Sequence, residues 1–125
     1  MFTDIKGFTE ITEQKGEQYA TEFRKQHDAI LTRIIEENGA GLIIKFIGDA
    51  VMAVFSEPSI AVERALKIQH ALREFNTSQQ TFEPMRVRMG LHMGQVSIDN
   101  SLQADVFGRH VNRASRIESL ADGGQ

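Results

Sequence analysis

Residues 42–55 read Leu-Ile-Ile-Lys-Phe-Ile-Gly-Asp-Ala-Val-Met-Ala-Val-Phe, two apolar runs rich in β-branched and aromatic side chains, split by a Gly-Asp pair. Such a stretch admits little besides two antiparallel strands joined by a two-residue turn, because glycine at the first turn position takes φ > 0 without steric cost. Two side chains do not belong to a plain hairpin. Lys45 interrupts an apolar strand, and Asp49 stands where the second strand begins. A lysine so placed either runs its stem along the sheet to water or has a partner to bind. An aspartate there is equally an ordinary turn residue.

The residues before this hairpin supply a second place of the same kind. Met1 to Ile5 alternate briefly and lead straight into Lys6-Gly7-Phe8-Thr9, which reads as a strand end, a turn and a helix start. Asp4 then lies at the carboxyl end of a strand, with the backbone N–H groups of residues 5–8 facing the same place, a geometry that holds phosphates in open sheets. The plainer reading is a capping aspartate. From Glu17 to Asn38, Tyr19, Phe23, His27, Ile30, Leu31, Ile34 and Ile35 recur at three- and four-residue steps, which predicts a helix with one apolar face. His27 on that face reads as a packed core histidine. Asn38-Gly39 supplies the stop.

After the hairpin, Glu57-Pro58-Ser59 opens a second helix over Ile60–Phe75, whose periodic apolar set is Ile60, Val62, Ala65, Leu66, Ile68, Ala71, Leu72 and Phe75. Residues 76–83 are polar and loop-like. Residues 87–96 predict a strand, a turn about Gly90 and Gly94, and a further strand; residues 99–104 predict a loop. A last helix is expected over Gly108–Ala121, with Val111, Ala114, Ser115, Ile117 and Leu120 inward and Asn112 and Arg116 at an i,i+4 step on one side. That pair is either a solvated face or part of a site. The order β-α-ββ-α-ββ-α implies an α+β fold, helices packed on one face of a mostly antiparallel sheet.

Composition narrows the function classes. A chain of 125 residues with 41% hydrophobic and 25% charged residues is one ordinary globular domain rather than a disordered one. A net charge of −3 gives no argument for nucleic acid as a partner. With no cysteine, thiolate metal sites and cysteine nucleophiles are excluded. No apolar run approaches the roughly 20 residues of a membrane span, and residues from Met1 onward lack a signal-peptide pattern. The expected compartment is the cytoplasm, with membrane attachment only through parts outside this chain.

Two aspartates at neighbouring strand ends are what hard Mg²⁺ or Mn²⁺ requires, since these ions take oxygen ligands and leave other positions for water and phosphate. Four motifs occur in one order: Phe2-Thr3-Asp4-Ile5-Lys6-Gly7-Phe8-Thr9, Lys45-Phe46-Ile47-Gly48-Asp49, Gly90-Leu91-His92-Met93-Gly94, and residues 105–116 from Asp105 through Asn112 to Arg116. Together they resemble the class III nucleotidyl cyclase catalytic domain, and the resemblance covers essentially the whole chain. It implies a ferredoxin-like α+β fold over 1–125, a partial catalytic domain truncated at both ends, with a late phosphate-binding lysine lying beyond Gln125.

The resemblance also implies roles. Asp4 and Asp49, with the carbonyl of Ile5, match the ligands of two Mg²⁺ or Mn²⁺ ions per active site. Lys45 and Asp105 match the pair that reads adenine, Asn112 the ribose-positioning residue, and Arg116 the residue that stabilises charge on the α-phosphate. The turn amides around Gly7, Phe8 and Thr9 would hold the outer phosphates. The implied activity is an adenylate cyclase converting ATP to 3′,5′-cyclic AMP and pyrophosphate at sites shared across a homodimer. A guanylate cyclase and a catalytically silent cyclase-like domain are the alternatives. The Gly-Gly-Asp-Glu-Phe turn of diguanylate cyclases is absent.

Overall fold

The computed structural model describes residues 1–94, 97–99, 105–107, 116–118, 120, 121 and 124. Strand β1 (Phe2–Ile5) leads through a Lys6-Gly7 turn into α1 (Phe8–Lys15) and α2 (Glu17–Glu36). The two helices are separate because Gly16 adopts φ 90, ψ 165, a conformation open essentially to glycine alone. A 3-10 turn (Glu37–Gly39) follows, with Asn38 and Gly39 at positive φ, as the Asn-Gly stop predicts. Next come β2 (Gly41–Ile47), β3 (Ala50–Phe55), α3 (Pro58–Ser78), β4 (Val87–Gly90), β5 (Ser97–Asp99) and β6 (Asp105–Phe107).

The main sheet has the order β2-β3-β1-β4, with every pair antiparallel, and β5 and β6 form a separate antiparallel pair. Alternation along the strands sorts the side chains into two faces. One face carries Ile5, Val51, Ala53, Val87 and Met89, packed with Phe23, Leu31, Ile34 and Ile35 of α2 and Ile68 and Leu72 of α3. The opposite face carries a smaller apolar group, Ile44 and Met52 with Phe2 and Val54. This is the expected α+β arrangement.

The hairpin turn forms at Gly48-Asp49, with Gly48 at φ 60. What the sequence does not reveal is a bulge in β2. Ile43 pairs with Ala53 while Lys45 pairs with Met52, so Ile44 and Lys45 together oppose one residue. In a regular ladder Lys45 would oppose Val51 and enter the helix-side core. The extra residue moves it to the face of Met52, which is also the face of Phe2 and Asp4.

Several expectations shift. The second main helix begins at Pro58 in the first turn, where a missing N–H costs nothing, and runs to Ser78 instead of Phe75. On it, Val62 and Leu66 are exposed at 50% and 67%, and Arg64 is buried in their stead. Eight apolar residues on one helix span more than one face, and Arg64 is tolerated inside because Glu37 pairs with its guanidinium. His27 is fully buried, as expected, with Nδ1 2.8 Å from Asp28 Oδ1.

After α3, Asn76 brackets the backbone of Met85, donating to its carbonyl at 2.9 Å and accepting from its N–H at 2.7 Å, which fixes the entry to β4. The strand expected after the turn at Gly94 is seen, among the described residues, at Ser97–Asp99, and it pairs with a strand, β6, that the sequence did not suggest. Asp99 belongs to β5 rather than to the loop. Of the last helix, residues 116–118 and 120 are helical; Asn112 and the rest of 108–115 lie outside the described residues.

Candidate active site

Asp4 is on β1, the strand between β3 and β4, so it faces neighbours from both sides. Directly across the ladder stands Arg88. Its guanidinium donates from Nε to Asp4 Oδ1 at 2.8 Å and from Nη2 to Asp4 Oδ2 at 2.7 Å, a bidentate pair. Asp49, at the hairpin turn, reaches back 44 positions in sequence and accepts the Ile5 N–H at 2.9 Å on Oδ2. That bond sets the Asp49 carboxylate beside the end of β1, one residue from Asp4.

Glu118 completes the group. It is buried and lies 3.5 Å from Arg88 Nε through Oε1, which brings it beside Asp4. Burial, then the proximity and charge of the Asp4 carboxylate, push its carboxyl up from 4.5 to about 7. Arg88's own bidentate bond to Asp4 raises the pKa of its guanidinium. Neither Arg88 nor Glu118 emerges from the sequence reading. For Arg88 the signal was present: a charged residue between Val87 and Met89 in a strand, the same anomaly that singled out Lys45. Glu118 carries no comparable mark on a helix of mixed charge.

The turn after β1 is partly committed. The Ile5 N–H is bound to Asp49 and the Lys6 N–H donates to Arg86 O at 2.8 Å, so two of the four amides expected to face a ligand are engaged internally. Gly7, in the left-handed region at φ 75, is the N-cap of α1, and no side chain caps the helix start at Phe8 and Thr9.

Comparison with known proteins bears directly on this grouping. Residues 1–125 match the family described as the adenylate and guanylate cyclase catalytic domain. The chain belongs to that family. It is 34% identical to an adenylate cyclase of Anabaena cylindrica over 133 aligned residues, 96% of this chain but 26% of that protein. A bacterial light-regulated adenylyl cyclase superposes with a TM-score of 0.83 at 32% identity, covering 95% of this chain and 38% of the other. The guanylyl cyclase Cya2 superposes with a TM-score of 0.87 at 27% identity, covering 99% and 70%. The chain thus spans about a quarter of the length of its Anabaena cylindrica relative.

Against the cyclase motifs, the fold brings Asp4, Ile5 and Asp49 together at adjoining strand ends. Lys45 is half-buried on the face that carries Asp4. Strand β6, which starts at Asp105, lies against β2, so the strands holding Lys45 and Asp105 are neighbours. Arg116 is an exposed helical residue two positions before Glu118. Asn112 lies outside the described residues.

The donor set suits a divalent ion. Asp4 and Asp49 offer only carboxylate oxygens at a half-exposed rim, the hard donors that Mg²⁺ and Mn²⁺ accept. Among the described residues no three acidic or histidine side chains converge closely enough to hold an ion by themselves. Water and nucleotide phosphates would have to supply the remaining positions, which is the usual condition of Mg²⁺ in nucleotide sites.

Proposed function

We propose that this domain is an adenylate cyclase that closes ATP to 3′,5′-cyclic AMP and releases pyrophosphate. The observation that carries the reading is the Ile5–Asp49 hydrogen bond, which sets the carboxylate of the β2–β3 turn beside the end of β1, one residue from Asp4, whose face Lys45 is turned toward by the bulge. Two Mg²⁺ or Mn²⁺ ions, bound by Asp4, Asp49 and the Ile5 carbonyl, would supply activation of the 3′-hydroxyl and neutralisation of phosphate charge. In the reaction the ribose 3′-oxygen forms a bond to the α-phosphorus as the bond from that phosphorus to the bridging oxygen of pyrophosphate breaks.

The chain's own side chains orient the nucleotide. Lys45 donates to a ring nitrogen of adenine and Asp105 accepts from the exocyclic amine. Asn112 positions the ribose, Arg116 meets charge growing on the α-phosphate, and the amides at Gly7, Phe8 and Thr9 hold the outer phosphates. The sites are shared across a head-to-tail homodimer. Support comes from the helix geometry: Glu118 lies against Arg88 and beside Asp4 of its own chain, and residues two apart on a helix face apart, so Arg116 is directed away from that site, as a residue serving a partner's site would be. Leu42, Phe46 and Ile47 are also left exposed on the edge strand β2. No helix among the described residues is long and apolar enough to cross a membrane, and a cytoplasmic domain supplied with ATP accords with the chemistry.

Base choice is the point to test. Adenine pairs an acceptor with Lys45 and a donor with Asp105, whereas guanine would set its carbonyl against the Asp105 carboxylate. A buried polar group left unpaired costs about 1–3 kcal/mol, which predicts at least about tenfold preference for ATP in kcat/KM. Product analysis with ATP and with GTP, in Mn²⁺, decides it, and Lys45→Glu with Asp105→Cys should erode or invert the preference. Equal use of both nucleotides overturns the adenylate assignment; preference for GTP makes the domain a guanylate cyclase; no product from either makes it catalytically silent.

A further inference from the structure

The bidentate Arg88–Asp4 pair has no part in the roles given above, yet it occupies both oxygens of a proposed metal ligand. The two residues oppose each other directly in the ladder, so the contact is set by backbone register and not by a chance rotamer. Their side chains are 30% and 22% exposed, so the pair is partly withdrawn from water and stronger than a rim ion pair.

We propose that Arg88 is a stand-in cation for the metal site: it holds Asp4 when no divalent ion is bound, and it must release the carboxylate before an ion can enter. Arg88 is then a positioning residue that sets the site's metal affinity. The inference rests on reading Asp4 as a metal ligand. Two effects act together. Lone pairs already engaged by Nε–H and Nη2–H are unavailable to an ion, and a positive charge within hydrogen-bond distance of the liganding oxygens repels a divalent one. Without Arg88, Asp4 would face Asp49 and Glu118 uncompensated, so the guanidinium also keeps the ion-free site from splaying apart. Glu118, 3.5 Å from Nε, gives the guanidinium somewhere to go on release.

The test is direct Mn²⁺ binding to the full chain without nucleotide, read by the electron paramagnetic resonance signal of free Mn²⁺. Arg88→Gln should bind Mn²⁺ about tenfold more tightly than wild type, the size expected for removing one positive charge about 5 Å from a divalent ion under near-aqueous screening. Arg88→Lys, which cannot hold both oxygens, should fall between. In the wild type, the ¹⁵N–H signal of Arg88 Nε should shift on Mg²⁺ titration and should not shift in Asp4→Asn; this arm needs no Arg88 variant to fold. Equal or weaker Mn²⁺ binding by Arg88→Gln, while Asp4→Asn abolishes binding, overturns the stand-in role and leaves the metal assignment standing. An unmoved Nε signal at saturating Mg²⁺ does the same. Unimpaired Mn²⁺ binding by Asp4→Asn overturns the assignment of Asp4 itself, and this inference with it.

Discussion

Replacing Asp49 separates two jobs that the structure gives to one carboxylate. It accepts the Ile5 N–H at 2.9 Å, tying the hairpin to the end of β1, and it is a proposed metal ligand. Asp49→Ala removes both. A hydrogen bond to a charged acceptor contributes about 1.5–3 kcal/mol. Asp49 is half-exposed, and its removal relieves repulsion from Asp4 and Glu118, so the lower figure applies, about 1.5 kcal/mol. For a domain of this size that is a fall in Tm of about 6 °C. Asp49→Asn keeps an oxygen to accept the Ile5 N–H but loses the charge. A neutral bond is about half as strong, so the asparagine variant should lose about half as much, about 3 °C. Turnover should fall to background in both, because the amide oxygen is a poor ligand for a divalent ion. Thermal unfolding in metal-free buffer, beside cyclic nucleotide production in Mn²⁺, reads the two jobs independently. Equal destabilisation by Asn and Ala would refute the hydrogen-bond accounting, and near-normal turnover by Asp49→Asn would refute the metal role.

The shared-site reading predicts that Asp49→Ala and Arg116→Ala are each inactive alone and regain activity when mixed, since one of the two sites in a heterodimer then has intact halves; a verified heterodimer that stays inactive speaks for sites built within one chain. Stability of the ion-free protein should depend on pH through Glu118. Its folded-state pKa of about 7 lies above the ordinary 4.5, so its contribution is fully present below pH 4.5 and is lost as pH rises through about 7. Urea unfolding in chelator from pH 4.5 to 8 should show this decline, and Glu118→Gln should flatten it; parallel profiles would exclude Glu118 as the cause. At the far end of the hairpin, a Cβ on Gly41 would meet the Phe55 ring at 2.5 Å, so Gly41→Ala should cost about 1–2 kcal/mol in denaturant unfolding. An unchanged midpoint would mean that the ring swings aside freely.

The local patterns carried much of the fold. The Gly48-Asp49 turn, the buried face of α2, the Asn38-Gly39 stop and the Pro58 start each depend on residues within a few positions of one another, and each formed where its chemistry required. The four motifs were likewise sufficient for the family, because they are short and occur in one order. Strand β6 escaped notice, since a three-residue strand lacks a period long enough to register. The division of α3 into buried and exposed apolar residues also escaped, because more apolar positions were available than one face can hold.

The site divides along the same line. Asp4, Asp49 and Lys45 stand out in the sequence as charges where apolar or turn residues are expected. Which face each occupies does not stand out. A single bulged residue, Ile44, turns Lys45 from the core to the face of Asp4, and a bulge is defined only by the partner strand. Arg88 meets Asp4 across 84 positions, through a register fixed when β4 pairs with β1, and Glu118 arrives from still farther along the chain. Sequence alone determined which elements form and which charged residues are anomalous, because those depend on local sterics and periodicity. Only the tertiary structure decided which charges face one another, because a cross-strand neighbour is chosen by register, and register is settled by packing the whole sheet against its helices.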